Sequence, residues 1–93
     1  MIKVTVWNEY LEELQYEHVA KVYPNGIHEC IREFLEKVPE IQVRCVTLRM
    51  ENQGLSEEIL NDTDVLIWWG HQAHDEVTEE NVQRVKQHVL DGM

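Results

Sequence analysis

Residues 64–76 read DVLIWWGHQAHDE, an apolar run that ends in a glycine followed by two histidines and two acids. Val65–Trp69 has no polar alternation, so it suits a strand covered on both faces, the pattern of parallel sheets rather than of half-solvated antiparallel ones. Trp68 and Trp69 then point to opposite faces, one toward the core and the other free to offer an indole face to a ring. Whether His71, His74 and Asp75 form the rim of a site or a polar turn depends on which other segments end beside them.

Working outward, MIKVTVW (1–7) alternates β-branched residues and stops at Asn8 and Glu9, which predicts a first strand. From Asn25 the period changes. Ile27, Cys30, Ile31, Phe34, Leu35 and Val38 recur at helical spacing, with Pro24 and Gly26 before them and Pro39 after. IQVRCVTL (41–48) predicts a second strand with Arg44 on its exposed side, LSEEIL (55–60) a short helix or turn, and DVLIWWG (64–70) the third strand. Thr78 can cap a last helix with Val82, Val85, Val89 and Leu90 on one face, Val77 and Val82 spaced as a hydrophobic staple, and Gly92 as the stop. The order βαβαβα in one domain over residues 1–93, without repeats or linkers, implies an α/β fold. Its parallel sheet is flavodoxin-like, with right-handed crossovers and strand order 2-1-3.

In such sheets ligands sit beyond the carboxyl ends of the strands, where the winding reverses. Strands one and three are neighbours in this order. Trp7, Asn8 and Glu9 therefore meet Trp69, Gly70, His71, His74 and Asp75, and the first turn of the helix after strand one brings His28 to the same crevice. The connection from Asn8 to Pro24 takes seventeen residues, where loops of this kind usually take about two to six. It carries Tyr10, Tyr16 and Tyr23 among Glu9, Glu12, Glu13 and Glu17, with room for a helical turn. Aromatic faces beside carboxylates suit a neutral, sugar-like ligand and repel a phosphate; tyrosines folded onto the core of a solvated loop are the plainer alternative.

A formal charge of -10 argues against nucleic acid or an anionic membrane surface as partner, since both require basic patches. No stretch approaches a membrane span and the start has no targeting pattern, so a cytoplasmic location is expected. Cys30 and Cys45 have no CxxC spacing and fall at apolar positions, which reads as two buried free thiols. Neither GxGxxG nor a hydroxyl- and glycine-rich loop follows strand one, so no nucleotide or flavin is expected. A phospho-receiver would need an aspartate where Trp68, Trp69 and Gly70 stand, and a nucleophile elbow would need a cysteine between a strand and a helix.

His71 and His74 have the HxxH spacing that lets two imidazoles reach one ion. His28 could join them and Asp75 or Glu9 complete a tetrahedron, with zinc the first candidate from nitrogen and oxygen ligands. Short histidine pairs also arise by chance. General acid or base work by one imidazole, with Asp75 or Glu9 fixing its tautomer, is the alternative, and His18 and His88 read as surface residues.

WNE (7–9), YPNGIHE (23–29), DTDVLIWWGHQAHDEV (62–77) and VLDGM (89–93) together resemble the amino-terminal part of the ThuA-like, or trehalose-utilisation, family. The resemblance covers nearly the whole chain. It implies a domain similar to class I glutamine amidotransferases and linked to sugar metabolism, with Trp7, Asn8, Glu9, His28, Trp69, Gly70, His71, His74 and Asp75 matching motif residues. It also implies that a further apolar strand follows the closing GM, making these 93 residues the first part of a larger domain. The uncharged third strand leads to the same expectation physically: with order 2-1-3 it lies at the border, a template for a complementary carboxyl-terminal segment or for homo-oligomer formation. The functional expectation is carbohydrate binding at the rim, and its rival is a non-catalytic interaction module or fragment that pairs through strand three.

Overall fold

The computed structural model describes residues 1–93 apart from the side chain of His74. β1 (Ile2–Asn8) is the middle strand of a three-stranded parallel sheet, between β2 (Ile41–Thr47) and β3 (Val65–Trp69), in the order β2-β1-β3. Val6 aligns with Cys45 and Ile67, and Asn8 with Thr47 and Trp69. The fold is thus a small flavodoxin-like βαβαβα arrangement, in the strand order expected.

Alternation along β1 divides the core into two layers. Val4 and Val6 face one side with Val43, where Ile31 and Leu35 of α3 (Ile27–Leu35) pack on them. Trp7 faces the other side with Val46, Leu48, Leu55, Leu60, Ala73 and Val77. Ile59 from α4 (Glu57–Asn61) and Val85 from α5 (Glu79–Leu90) close that layer. Both short-range starts are capped by hydroxyls, Ser56 accepting from Ile59 N–H and Thr78 from Asn81 N–H. Trp7 is wholly buried, stacks on Trp68 with centroids 3.8 Å apart and donates its indole N–H to the Gln53 carbonyl at 2.8 Å. The expectation that Trp7 touches a ligand is therefore corrected: it is the floor beneath the rim.

The seventeen-residue connection contains two short helices, α1 (Glu12–Gln15) and α2 (Glu17–Val22). α3 ends at Leu35 rather than Val38 because the residue before Pro39 is driven out of helical geometry, and the chain turns over residues 36–40 instead. Val38, beyond the helix, is exposed, and so is Phe34 on the outer side of α3. In α5 the expected apolar face is only partly used: Val85 packs inward, while Val82, Val89 and Leu90 are exposed, so the Val77–Val82 staple is replaced by Val77 in the core alone. Asn81 is buried in their place. Its amide donates to the Asn52 carbonyl and to Gln53 Oε1, and Arg84 reaches the Leu55 carbonyl, so a polar seam seats the helix. None of the helices is long and apolar enough to cross a membrane.

The two thiols differ, against the expectation that both are buried. Cys30 lies on the exposed side of α3, whereas Cys45 is half-buried with its Sγ 3.5 Å from the His28 carbonyl. Burial, reinforced by the Glu29 carboxylate, pushes the Cys45 thiol up to about 12. Thiolate is the reacting form. At pH 8, an alkylating reagent should therefore modify one cysteine per chain rapidly, mapped to Cys30 by peptide mass, with Cys45 reacting only after denaturant is added.

Candidate functional site

The carboxyl ends of β1 and β3 form the rim, and β1 delivers two polar residues there with no exposed surface, Asn8 and Glu9. A buried amide or carboxylate without partners costs several kcal/mol, so their hydrogen bonds determine what the rim is. Every hydrogen-bonding group of the Asn8 side chain except one lone pair is engaged. Its Oδ1 accepts the Tyr10 backbone N–H at 3.0 Å, and its Nδ2 donates to Glu13 Oε2 at 2.7 Å and faces His28 Nδ1 at 3.0 Å. Because Oδ1 is held by a backbone donor, the amide cannot be turned over without loss. His28 Nδ1 is then the acceptor, and the imidazole proton sits on Nε2.

The His28 ring is also fixed from other sides. Tyr10 meets it edge-on with centroids 5.2 Å apart, and Tyr10 itself holds φ 51, a strained conformation that the bond to Asn8 maintains. Below the ring lies Gly26 at φ +95, where an added Cβ would come within 2.5 Å of His28 Cε1. Glycine is required there for the backbone and for the ring. Glu13, on α1, was not singled out by sequence, yet it ties the cluster together: Oε2 also accepts the Ile27 N–H at 2.8 Å, joining α1 to the start of α3. Its Oε1 is buried and has no hydrogen-bond partner among the described residues.

Glu9 performs different work. Its carboxylate accepts the Gln72 N–H at 3.0 and 3.2 Å and the Ala73 N–H at 2.7 Å, drawing the loop after β3 against the end of β1. Burial pushes this carboxyl up, but the N–H groups of Gln72, Ala73 and His71 together outweigh it and hold the group below the ordinary value of 4.5. Glu12 grips the same loop, accepting from Gln72 Nε2 at 2.7 Å and lying 3.5 Å from His71 Nδ1. Thus Asn8 orients His28 and Glu12 stands beside His71, in the roles expected of Glu9 and Asp75.

Trp69 shares a sheet face with Asn8, opposite it in the register, and remains 38% exposed with His71 edge-on at 6.3 Å. Gly70 is half-buried between them, and His71 and Asp75 are exposed. The side chain of His74, the second half of the HxxH pair, lies outside the described residues. Among the described residues no group of three His, Cys, Asp or Glu side chains could hold a metal ion. A metal on His28 Nε2 would further require the proton on Nδ1, the position Asn8 already donates to. The zinc site expected from His28, His71 and His74 includes a side chain outside the described residues, and those that are described do not by themselves supply it.

No family model matches this chain, and no curated protein does.

Glu9→Ala would leave the buried N–H groups of Gln72 and Ala73 without an acceptor. It should cost about 3 kcal/mol in denaturant unfolding, and Glu9→Gln about 1–2 kcal/mol, since the amide keeps one acceptor without the charge. The folded carboxyl is depressed, so its stabilisation is complete above the ordinary carboxyl range and lost as pH falls through the folded value. Unfolding midpoints of Glu9→Gln and the parent chain should accordingly converge as pH drops from 6 to 3. In a separate test, Gly26→Ala should shift the His28 ring resonances and weaken the Asn8 contact.

Proposed function

We propose that the protein binds a neutral polyhydroxy ligand, a sugar or sugar derivative, at the carboxyl rim of β1 and β3, as the resemblance to the ThuA-like family implies. The observation that carries this reading is the Asn8–Glu13–His28 cluster. One group in it, His28 Nε2–H, is a donor with no protein acceptor required of it, and one, Glu13 Oε1, is an acceptor with no donor. A ligand hydroxyl, which both donates and accepts, is the kind of group that such a donor and such an acceptor call for. Trp69, half-exposed on the same face, offers an indole to the apolar face of a sugar ring.

Charge favours a neutral ligand. Glu9, Glu12 and Glu13 converge on the rim, and none of the residues that bond to Asn8, Glu9 or Glu13 is a lysine or arginine. A phosphate or carboxylate would meet negative charge with no counter-ion. Where chemistry follows binding, His28 is the group placed for it: its Nε2 proton can be donated to a ligand oxygen while Asn8 keeps the ring and tautomer in place. Association with sugar metabolism and a cytoplasmic location belong to the same proposal.

Two measurements test it. Long-range nitrogen–proton spectra should give His28 an unprotonated Nδ1 and a protonated Nε2 at pH 8, and Asn8→Ala should abolish that preference. Titration with trehalose and with glucose, read by tryptophan fluorescence, should show saturable binding that Trp69→Ala weakens about tenfold, the value of one good ring contact. Absence of saturable binding by any neutral saccharide, with the His28 tautomer as described, would remove the ligand class while leaving the cluster geometry standing.

A further inference from the structure

The turn between α2 and α3 is the strongest feature that the rim does not absorb. It reads Tyr23-Pro24-Asn25-Gly26, with Pro24 and Asn25 exposed and Gly26 buried beside the His28 ring. Of the asparagines in the chain, at 8, 25, 52, 61 and 81, Asn25 is the one followed by glycine. The amides of Asn8 and Asn81 are buried and hydrogen-bonded. Asn25 instead stands at the surface, on a water-accessible cleft of about 110 Å³ that Tyr23, Gly26 and Cys30 also line.

We propose that Asn25 is a site of spontaneous deamidation and isomerisation, and that its isoaspartyl product releases His28 from the Asn8–Glu13 cluster. The chemistry requires only water. The Gly26 backbone nitrogen, having lost its proton to solvent base, bonds to Asn25 Cγ; the Cγ–Nδ2 bond breaks and Nδ2 leaves as ammonia, closing a succinimide ring. Water adding at Cγ then returns the ordinary backbone with aspartate at 25. Water adding at the main-chain carbonyl carbon leaves Gly26 joined through Cγ, an isoaspartate that lengthens the chain by a methylene group. Overall an amide and a water become a carboxylate and an ammonium ion, and nothing is oxidised or reduced.

A side chain on the attacking residue would hinder its nitrogen, and Gly26 has none. The glycine that its positive φ and the His28 ring both demand is also what leaves this nitrogen open to Asn25. One contact opposes the first step: the Gly26 N–H donates to the Tyr23 carbonyl at 3.0 Å. That bond closes an exposed turn following α2, a helix with no buried residue, so local opening releases it far short of global unfolding. The folded chain therefore reacts more slowly than the unfolded one, and at this residue first.

The consequence falls on the rim. Gly26 lies so near His28 that an added Cβ would stand 2.5 Å from Cε1, and the next residue, Ile27, gives its N–H to Glu13 Oε2 at 2.8 Å. Gly26 also starts α3, its carbonyl accepting the Cys30 N–H at 3.3 Å. A methylene inserted immediately before it shifts the start of α3, breaking the Glu13–Ile27 bond and drawing the ring from Asn8. Aspartate at 25 adds charge alone and leaves the spacing unchanged. The inference rests on the geometry of the cluster and not on the class of ligand.

The full chain, held folded at pH 8 in heavy-oxygen water and then cleaved by trypsin in ordinary water, tests it. Label should enter the peptide 22–32 at residue 25, ahead of Asn52 and Asn61, and the added charge should separate the aged chain by anion exchange. Its His28 ring resonances should shift and the preference for the Nε2 proton be lost, in proportion to the isoaspartate that an isoaspartyl methyltransferase counts in that peptide. Freshly made Asn25→Asp should keep the parent resonances, and Asn25→Gln, aged alike, should show neither label nor shift. A folded chain that stays unlabelled at residue 25 while urea-unfolded chain takes up label there overturns the proposal, as does isoaspartate at 25 with the parent His28 resonances. A shift in fresh Asn25→Asp as large as in the aged chain overturns it too, because charge and not chain length would then move the ring.

Discussion

The end of β1 imposes the constraint on which the rest of the rim depends. A middle strand of a parallel sheet is covered on both faces, so polar residues there must find every partner within the protein. Asn8 and Glu9 are such residues, and each organises one neighbouring segment. Asn8 engages α1 through Glu13 and α3 through His28; Glu9 engages the loop after β3 through its backbone N–H groups. The order of the loops is therefore a consequence of hydrogen-bond satisfaction at two adjacent positions, with Trp7, stacked on Trp68, supplying the apolar base that keeps water from competing.

The layered fold was legible because parallel strands and amphipathic helices leave periodic traces. VLIWW and KVTVW announced covered strands, and the helical recurrence from Ile27 located α3. What periodicity does not encode is coverage. Val85 and Val89 belong to one apolar stripe of α5, yet the first packs against the core and the second is exposed, because burial depends on which neighbour lies opposite. Cys30 illustrates the same point on α3. Asn81, polar by type, is buried because left-handed Asn52 and Gln53 present oxygens to it, a backbone feature with no sequence pattern apart from an Asn-Gln-Gly string.

At the site, sequence identified the segments better than the roles. Asn8, His28, Trp69 and His71 do come to the same rim, as the topology requires. Glu9 and Asp75 were expected beside an imidazole; instead, Glu9 is committed to main-chain donors and Asp75 is exposed. Glu13 was one acid among several in a long loop. The signal that could have separated it is its offset from Glu12: adjacent residues on a short helix point about 100° apart, so one reaches the β3 loop while the next turns toward α3.

This division of labour narrows the chemistry available. The Glu9 carboxylate, which accepts backbone N–H groups, is held below its ordinary value and fixed in place, which suits it to positioning and not to proton exchange near neutral pH. In the cluster the His28 ring is oriented by the neutral amide of Asn8. The amide donates to Nδ1, which turns the other ring nitrogen, Nε2, outward. A site built this way is suited to donating a hydrogen bond to a neutral oxygen. The acids around it discourage anionic ligands.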